Sequence, residues 1–250
     1  MSIFLVLFFM GLVQGLTEFL PVSSSGHLVL LSNIFGVEES LFLSILLHVA
    51  TLLSICVVFY KDIFALIRHP FSQKSIMIVT ATIPTAVIAL ILMPLIKSSF
   101  GGTFLPVAFL FTAIILVVGE LFQVKKREFS IKTAFIMGVM QGFAVFPGIS
   151  RSGATISAGL MAGADKKECA KFSFLMSIPI IILSMFLEVY EAISGGISID
   201  YPLSAIIISF LTAFVSGIFA IKFMMKFASG KYWWFSIYLI LLSLATFFVG

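Results

Sequence analysis

The chain has 250 residues, of which 61% are hydrophobic and only 10% are charged. Globular chains carry about 25% charged residues, so this composition, with a mean hydropathy of +1.22, excludes a water-soluble domain. The formal net charge of +4 says little as a total. We expect the protein to lie in a lipid bilayer and to have no nucleic-acid partner.

The apolar segments predict an all-α, polytopic integral membrane protein, because spanning strands would instead show alternating segments of roughly ten residues. Membrane-spanning helices are predicted, in chain order, at about 41–60, 75–96, 103–124, 172–190, 203–221 and 232–249. The last of these follows Trp233 and Trp234, a pair that suits an interfacial aromatic belt. No basic n-region precedes the first apolar segment, so we expect no cleavable signal peptide.

Two further apolar segments, at about 3–36 and 133–164, are each interrupted midway by Pro, Gly and Ser residues. Such interruptions are typical of broken or re-entrant helix pairs, in which the chain turns back inside the membrane. We therefore predict a helix pair, and not a single span, for each of these segments.

The charges in the connections predict the orientation. Lys and Arg mark the connections at 61–74, 125–132, 166–171 and 222–231, whereas Glu38–Glu39 and the stretch from Glu191 to Asp200 contain neither. The positive-inside rule places the basic connections in the cytoplasm and the acidic ones outside. The six spans alternate consistently only if both broken segments return to the side from which they enter.

The two halves of the chain carry matching motifs. Gly11-Leu-Val-Gln14-Gly15 is matched by Gly138-Val-Met-Gln141-Gly142, and, at the same spacing, Ser23-Ser24-Ser25-Gly26 is matched by Ser150-Arg151-Ser152-Gly153. Each half then has one re-entrant helix pair plus three spans, and because three is odd the second copy must be inverted. We predict a single membrane domain, 1–250, made of two inverted repeats at about 1–124 and 133–250, with the broken helices face to face near the midplane.

The first motif combines a carboxylate with hydroxyls and an imidazole. Gln14 and Glu18 are four residues apart and share one helix face, and a carboxylate in an apolar segment is a functional candidate. Pro21 breaks the helix, so the three serines lie near the start of a second half-helix, whose free N–H groups attract anions. The alternative is a Glu18 that only reaches the interface from a surface helix, which the nearby serines and His27 disfavour.

The second motif places an arginine among small residues. Arg151 suits bidentate phosphate binding and keeps its charge. Residues that supply hydroxyls or close backbone approach surround it: Gly148, Ser150, Ser152 and Thr155. An arginine at membrane depth needs an anionic partner, which is either a substrate or Glu18 in a structural ion pair between the repeats. The two roles can coexist.

Together these residues resemble a known family. The segments Gln14–Leu28 and Pro147–Thr155 look like the two signature motifs of the undecaprenyl-diphosphate phosphatases, also called bacitracin-resistance proteins, and the resemblance extends along essentially the whole chain. It implies hydrolysis of undecaprenyl diphosphate to undecaprenyl phosphate and inorganic phosphate, which recycles the carrier lipid for cell-wall synthesis and confers bacitracin resistance. It also implies a plasma-membrane protein, an active site that opens to the extracytoplasmic side, and a homodimer.

Specific site residues follow from the resemblance and from the motifs. The resemblance implies a site of Gln14, Glu18, Ser24, His27, Ser150, Arg151 and Thr155. We expect catalysis from Glu18, Ser24, His27 and Arg151, and substrate binding from Gln14, Ser23, Ser25, Gly148, Ser150, Ser152 and Thr155. A divalent cation, Mg²⁺ or else Ca²⁺, is the implied cofactor, with Glu18 as its protein ligand. Because the family has either Glu or Gln at the position of Gln14, this chain retains one carboxylate in its motifs, and substrate phosphates and water would supply most ligands.

The sequence leaves the mechanism open. Ser24, His27 or an ordered water is the nucleophile, and His27 or Glu18 supplies general acid/base catalysis. We expect His48, inside a predicted span, to be packed in the core, with a place near the site as the alternative. The competing function is a transporter or flippase of a phosphorylated polyprenyl lipid, since broken helices in inverted repeats are typical of transporters. A carrier needs no nucleophile, so Ser24 beside Glu18 and His27 favours hydrolysis.

Overall fold

A computed structural model describes residues 2–37, 40–98, 104–123, 127–195 and 201–249. These residues form eleven α-helices and no strand, which confirms the all-α prediction. The helices are α1 (Ile3–Phe19), α2 (Ser24–Phe35), α3 (Leu41–Val58), α4 (Tyr60–Arg68), α5 (Gln73–Ser98), α6 (Leu105–Leu121), α7 (Ile131–Phe143), α8 (Arg151–Met161), α9 (Lys166–Gly195), α10 (Leu203–Phe227) and α11 (Trp233–Val249).

The long apolar helices confirm a polytopic membrane protein. Among the described residues, α3, α5, α9 and α10 are long and apolar enough, by length and composition, to cross a bilayer. Helices α1, α6 and α11 are also apolar but have 17 residues each. Large apolar side chains on the outer surface, such as Ile91 and Phe186, are 70% exposed. A surface of this kind suits lipid and not water.

Both interrupted segments are broken helices. Helix α1 ends at Phe19 and α2 begins at Ser24, while α7 ends at Phe143 and α8 begins at Arg151. Pro21 and Pro147 lie in the two gaps, where their missing N–H groups cannot continue a helix. The half-helices contain 11 to 17 residues, fewer than the roughly 20 that a full crossing requires.

Each broken helix packs against a span from the other half of the chain. Helix α1 contacts α10 most extensively, and α7 contacts α5. Gly11 of α1 faces the backbone carbonyl of Ser209, and Gly138 of α7 faces that of Ala81, so a Cβ at either glycine would overlap a carbonyl oxygen. These equivalent contacts are consistent with a two-fold repeat. The inverted arrangement of 1–124 and 133–250 stays a prediction.

Ion pairs join the basic ends of several helices. Lys74 of α5 and Lys171 of α9 lie 2.7 and 2.8 Å from Oδ1 of Asp62 in α4. Partial burial raises the pKa of Asp62, but hydrogen bonds from Lys171 and Lys74 outweigh this effect and hold the pKa below its ordinary value. Lys166 of α9 lies 2.7 Å from Glu120 near the end of α6. The starts of α5 and α9 and the end of α6 therefore meet at one end of the bundle.

Several connections differ from the sequence-based expectation. The 61–74 connection contains helix α4, in which exposed Phe64 and Ile67 accompany Lys61, a composition typical of helices that lie on a membrane surface. The basic residues at 166–171 form the first turns of α9 and not a loop. Lys222 and Lys226, predicted in a connection, lie in the last turns of α10, and Glu191 lies in the last turns of α9. The predicted acidic connection at Glu38–Glu39, residues 125–126 of the basic connection at 125–132 and residues 196–200 lie outside the described residues.

Candidate active site

The two helix breaks meet around a cavity of about 240 Å³. Residues of both motifs line it: Gln14, Glu18, Ser23, Ser24, Ser25, Gln141, Ser150 and Arg151. The structure therefore brings together the acid, the serines and the arginine that the sequence predicts to act together. Part of the wall is apolar and includes Leu28, Val29 and Ile180.

Glu18 is the centre of the hydrogen-bond network. Its Oε2 accepts a hydrogen bond from Ser24 Oγ at 2.6 Å and another from Gln14 Nε2 at 3.2 Å. Its Oε1 binds the guanidinium of Arg151. The side chain of Glu18 is only 6% exposed, so these partners offset the cost of burying the carboxylate. A hydroxyl held against a carboxylate at this distance is the arrangement of a nucleophile and its base.

Arg151 pairs with Glu18 across the two halves of the chain. This contact is the structural ion pair that the sequence leaves as one alternative. A guanidinium has five N–H donors, and the contact to Glu18 is made through Nη2. Arg151 also lines the cavity, with a side chain that is 20% exposed. The remaining donors can therefore bind an anion while the ion pair persists.

Two helix N-termini begin at the cavity. Ser23 Oγ caps α2 by accepting the N–H of Gly26 at 3.3 Å, and Ser150 Oγ caps α8 by accepting the N–H of Gly153 at 3.1 Å. Ser23 has a φ of +69°, and no other non-glycine residue in the described ranges has a positive φ, a conformation that costs roughly 1–3 kcal/mol and clusters at functional sites. The free N–H groups of both helix starts favour an anion.

Three predicted substrate-binding residues lie outside the cavity lining. Gly148 has a φ of +87° and packs so closely on α6 that a Cβ would meet side chains there. Ser152 Oγ donates to the carbonyl of Leu20 at 2.9 Å and so joins the two breaks. Thr155 Oγ1 lies 2.7 Å from Ser173 Oγ in α9. These residues hold the frame of the site, and their binding of substrate stays a prediction.

His27 points away from the cavity. Its Nδ1 donates to the carbonyl of Ser23 at 2.6 Å, because a carbonyl can only accept, and this leaves Nε2 to accept the hydroxyl of Tyr238 at 2.6 Å. The imidazole also stacks on the Tyr238 ring. Both ring nitrogens are thus engaged, and a role as nucleophile or proton donor would require the Tyr238 contact to break. The catalytic role of His27 stays a prediction that this geometry does not favour.

Two titratable residues outside the motifs also line the cavity. His48 lies there and not in the packed core, with Nδ1 at 2.9 Å from the carbonyl of Ser44. Glu188 of α9 lines the same cavity, and its Oε2 is buried without a hydrogen-bond partner in the described part of the chain. Glu188 falls inside the span predicted at 172–190, so the rule that marked Glu18, an acid within an apolar segment, also marks this residue.

The side chains of the cavity that could act as metal ligands are few. No group of three His, Cys, Asp or Glu side chains within the described ranges is arranged to hold a metal. Glu18, the predicted ligand, is already paired with Arg151. The Oε1 atom of Gln14 is buried and has no partner among the described residues, and an amide oxygen suits a hard cation. The Gln14 amide oxygen is thus compatible with a cation, while the divalent cation itself and Glu18 as its ligand stay predictions.

Residues 7–245 match the family model described as Bacitracin resistance protein BacA. The chain belongs to this family. A protein named undecaprenyl-diphosphatase from Carboxydothermus hydrogenoformans is 42% identical over 237 residues, which cover 92% of this chain and 90% of the relative. Proteins of the same name from Alkaliphilus metalliredigens and Bacteroides fragilis are 38% and 39% identical, over 92% and 96% of both chains. Family membership thus confirms the resemblance seen in the two motifs.

Proposed function

We infer that this chain is a membrane phosphatase that hydrolyses undecaprenyl diphosphate to undecaprenyl phosphate and inorganic phosphate. This reaction recycles the carrier lipid for cell-wall synthesis and, as in the bacitracin resistance family, confers bacitracin resistance. The observation that carries the inference is the hydrogen-bonded triad of Ser24, Glu18 and Arg151, in which a hydroxyl, its base and a guanidinium that can bind phosphate meet at one cavity. The relatives of this chain that are named undecaprenyl-diphosphatase support undecaprenyl diphosphate as the substrate.

In the first step, Ser24 Oγ attacks the terminal phosphorus of the diphosphate. Glu18 accepts the serine proton along the 2.6 Å hydrogen bond. The Oγ–P bond forms, the bond from the terminal phosphorus to the bridging oxygen breaks, and undecaprenyl phosphate leaves with the proton that Glu18 returns. Arg151 and the N–H groups at the start of α8 offset charge on the phosphoryl oxygens, since phosphoryl transfer depends mainly on positioning and charge stabilisation.

In the second step, water hydrolyses the phosphoserine. Glu18 takes a proton from the water while the water oxygen attacks phosphorus. The Oγ–P bond breaks, and Glu18 returns the proton to Ser24 Oγ. Inorganic phosphate then leaves the cavity. A divalent cation held by cavity oxygens such as those of Glu18 and Gln14 would, when bound, offset further negative charge on the diphosphate.

The position of the cavity supports an extracytoplasmic active site. Ser44 and His48 lie in the first half of α3, and Glu188 lies near the end of α9. These helix ends adjoin the connections without Lys or Arg, whereas the basic ends of α5 and α9 meet at Asp62. The positive-inside rule places the basic ends in the cytoplasm. The cavity then opens toward the outer face of the plasma membrane, with its apolar wall toward the polyprenyl chain.

Phosphate release from undecaprenyl diphosphate by the purified protein in detergent tests the function. We expect wild type to release phosphate and Ser24→Ala to release it about a hundredfold more slowly or worse, because the nucleophile is lost. Ser194→Ala, which removes an exposed hydroxyl of α9, is the matched control and should behave as wild type.

One result would contradict the phosphatase function, and another would contradict only Ser24 as the nucleophile. Tight binding of undecaprenyl diphosphate by wild type with no phosphate release would favour a carrier or flippase. Near-full activity of Ser24→Ala would leave the phosphatase in place but exclude Ser24 as the nucleophile and assign the attack to water or His27.

A further inference from the structure

The equivalent glutamines of the two motifs leave the same atom without a partner. Gln14 and Gln141 occupy matching positions and are 0% and 1% exposed. Both line the cavity. The Oε1 atoms of both are buried and form no hydrogen bond within the described part of the chain. An unsatisfied buried acceptor costs about 1–3 kcal/mol, so a pair of them at one cavity calls for a ligand.

The orientation of both amides is determined by their neighbours. Gln14 directs Nε2 at Oε2 of Glu18, 3.2 Å away, and a carboxylate can only accept a hydrogen bond. Gln141 directs Nε2 at Oγ1 of Thr85, 3.2 Å away. The Thr85 hydroxyl proton is engaged with the backbone carbonyls of Ala81 and Gly138, both at 2.8 Å. Turning either amide would bring oxygen against an acceptor, so in both cases Oε1 is the atom left over.

The chemistry of these atoms selects the ligand class. Phosphate oxygens are themselves acceptors, so two amide oxygens do not attract the diphosphate. Glu188 Oε2 is a third acceptor oxygen of this cavity that is buried without a hydrogen-bond partner in the described ranges. Three such acceptor oxygens at one cavity favour a cation over a single neutral donor. Mg²⁺, Ca²⁺ and Mn²⁺ prefer oxygen ligands such as amide carbonyls and carboxylates.

We propose that Gln141 and Gln14 bind a divalent cation through their Oε1 atoms, with the unpaired Oε2 of Glu188 as a further oxygen ligand. One glutamine comes from each half of the chain, so the cation links the two motifs in the same way as the Glu18–Arg151 ion pair. The use of this cation to hold the diphosphate rests on the proposed phosphatase function. The binding of the cation itself does not.

Mn²⁺ binding to the full chain in detergent, measured by electron paramagnetic resonance without substrate, tests the proposal. We expect wild type to bind one Mn²⁺ and Gln141→Leu to bind it about tenfold more weakly or worse, a loss typical of altered metal sites. Gln141→Glu, nearly the same in shape, should bind Mn²⁺ more tightly because it adds a charge. Gln73→Leu, at an exposed position at the start of α5, is the matched control and should bind as wild type.

The Mn²⁺ affinities of wild type and the two Gln141 variants decide whether the cation site exists. No saturable Mn²⁺ site in wild type up to millimolar concentrations, or equal affinity in wild type, Gln141→Leu and Gln141→Glu, would overturn the proposal and leave a bridging water as the partner of the amides. If Gln141→Leu does not fold, the direction of change in Gln141→Glu decides. Phosphate release is measured on the same samples. Intact phosphate release together with equal Mn²⁺ affinity in all variants contradicts only the proposed cation site. Mn²⁺ binding by wild type without any phosphate release contradicts the phosphatase function.

Discussion

Replacing Glu18 and Arg151 singly and together separates their structural role from their catalytic role. The side chain of Glu18 is 6% exposed and that of Arg151 is 20% exposed. Removing one member of a buried ion pair costs about 3–5 kcal/mol, because the other charge stays buried and unpaired. We expect Arg151→Gln to be near the upper end, since it strands the more buried charge, and Glu18→Gln to be near the lower end.

The double variant should be more stable than either single variant. Replacing both charges of a buried pair with neutral groups is often close to neutral in stability. We therefore expect a favourable coupling of about 3 kcal/mol or more between the two substitutions. The free energy of unfolding is measured by titration with a denaturing detergent in mixed micelles and followed by the fluorescence of Trp233 and Trp234, the two tryptophans of the chain.

Phosphate release on the same samples gives the catalytic half of the comparison. Because the double variant regains stability but lacks both the base, Glu18, and the phosphate-binding guanidinium of Arg151, it should remain about a thousandfold less active than wild type. Strictly additive destabilisation would refute the ion pair as a buried, coupled unit. A double variant with more than about a tenth of wild-type activity, a loss of under 1.4 kcal/mol, would show that both residues are only scaffold.

Three further substitutions test other parts of the structure. Tyr238→Phe removes the hydroxyl that binds Nε2 of His27; we expect a stability loss of about 1 kcal/mol with phosphate release within a few-fold of wild type, and a large loss of release would restore His27 as a reacting group. Asp62→Asn should lower the melting temperature at neutral pH, because the folded-state pKa of Asp62 is depressed; this stabilisation is present above the unfolded pKa of about 3.9 and is lost as pH falls through the lower folded value, so thermal melts of the two proteins should converge in acid. Gly138→Val places a Cβ against the carbonyl of Ala81 and should destabilise by about 3 kcal/mol, measured by unfolding in mixed micelles; a stable variant would show that α5 and α7 do not pack this closely.

Features encoded in short stretches of chain could be predicted from the sequence. The apolar runs determine the helices because a backbone in lipid must satisfy its own hydrogen bonds. Pro21 and Pro147 determine the breaks because proline lacks an N–H. The contact between Glu18 and Ser24 is also local, since six residues and one helix break separate them. Helix α4 was missed because its nine residues lie among charged positions, where no long apolar run marks a helix.

Features that join distant segments were decided only by the tertiary structure. The sequence left the partner of Arg151 open, and the fold pairs it with Glu18, 133 positions away. His48 and Glu188 enter the cavity, whereas His27, inside the motif, turns to Tyr238. The residue types determine which chemistry is available. The rotation of each helix about its axis determines which side chains come into contact. That rotation is set by packing between elements far apart in the chain, such as the close contacts of Gly11 and Gly138 with opposite-half helices, and for this reason no local pattern contains it.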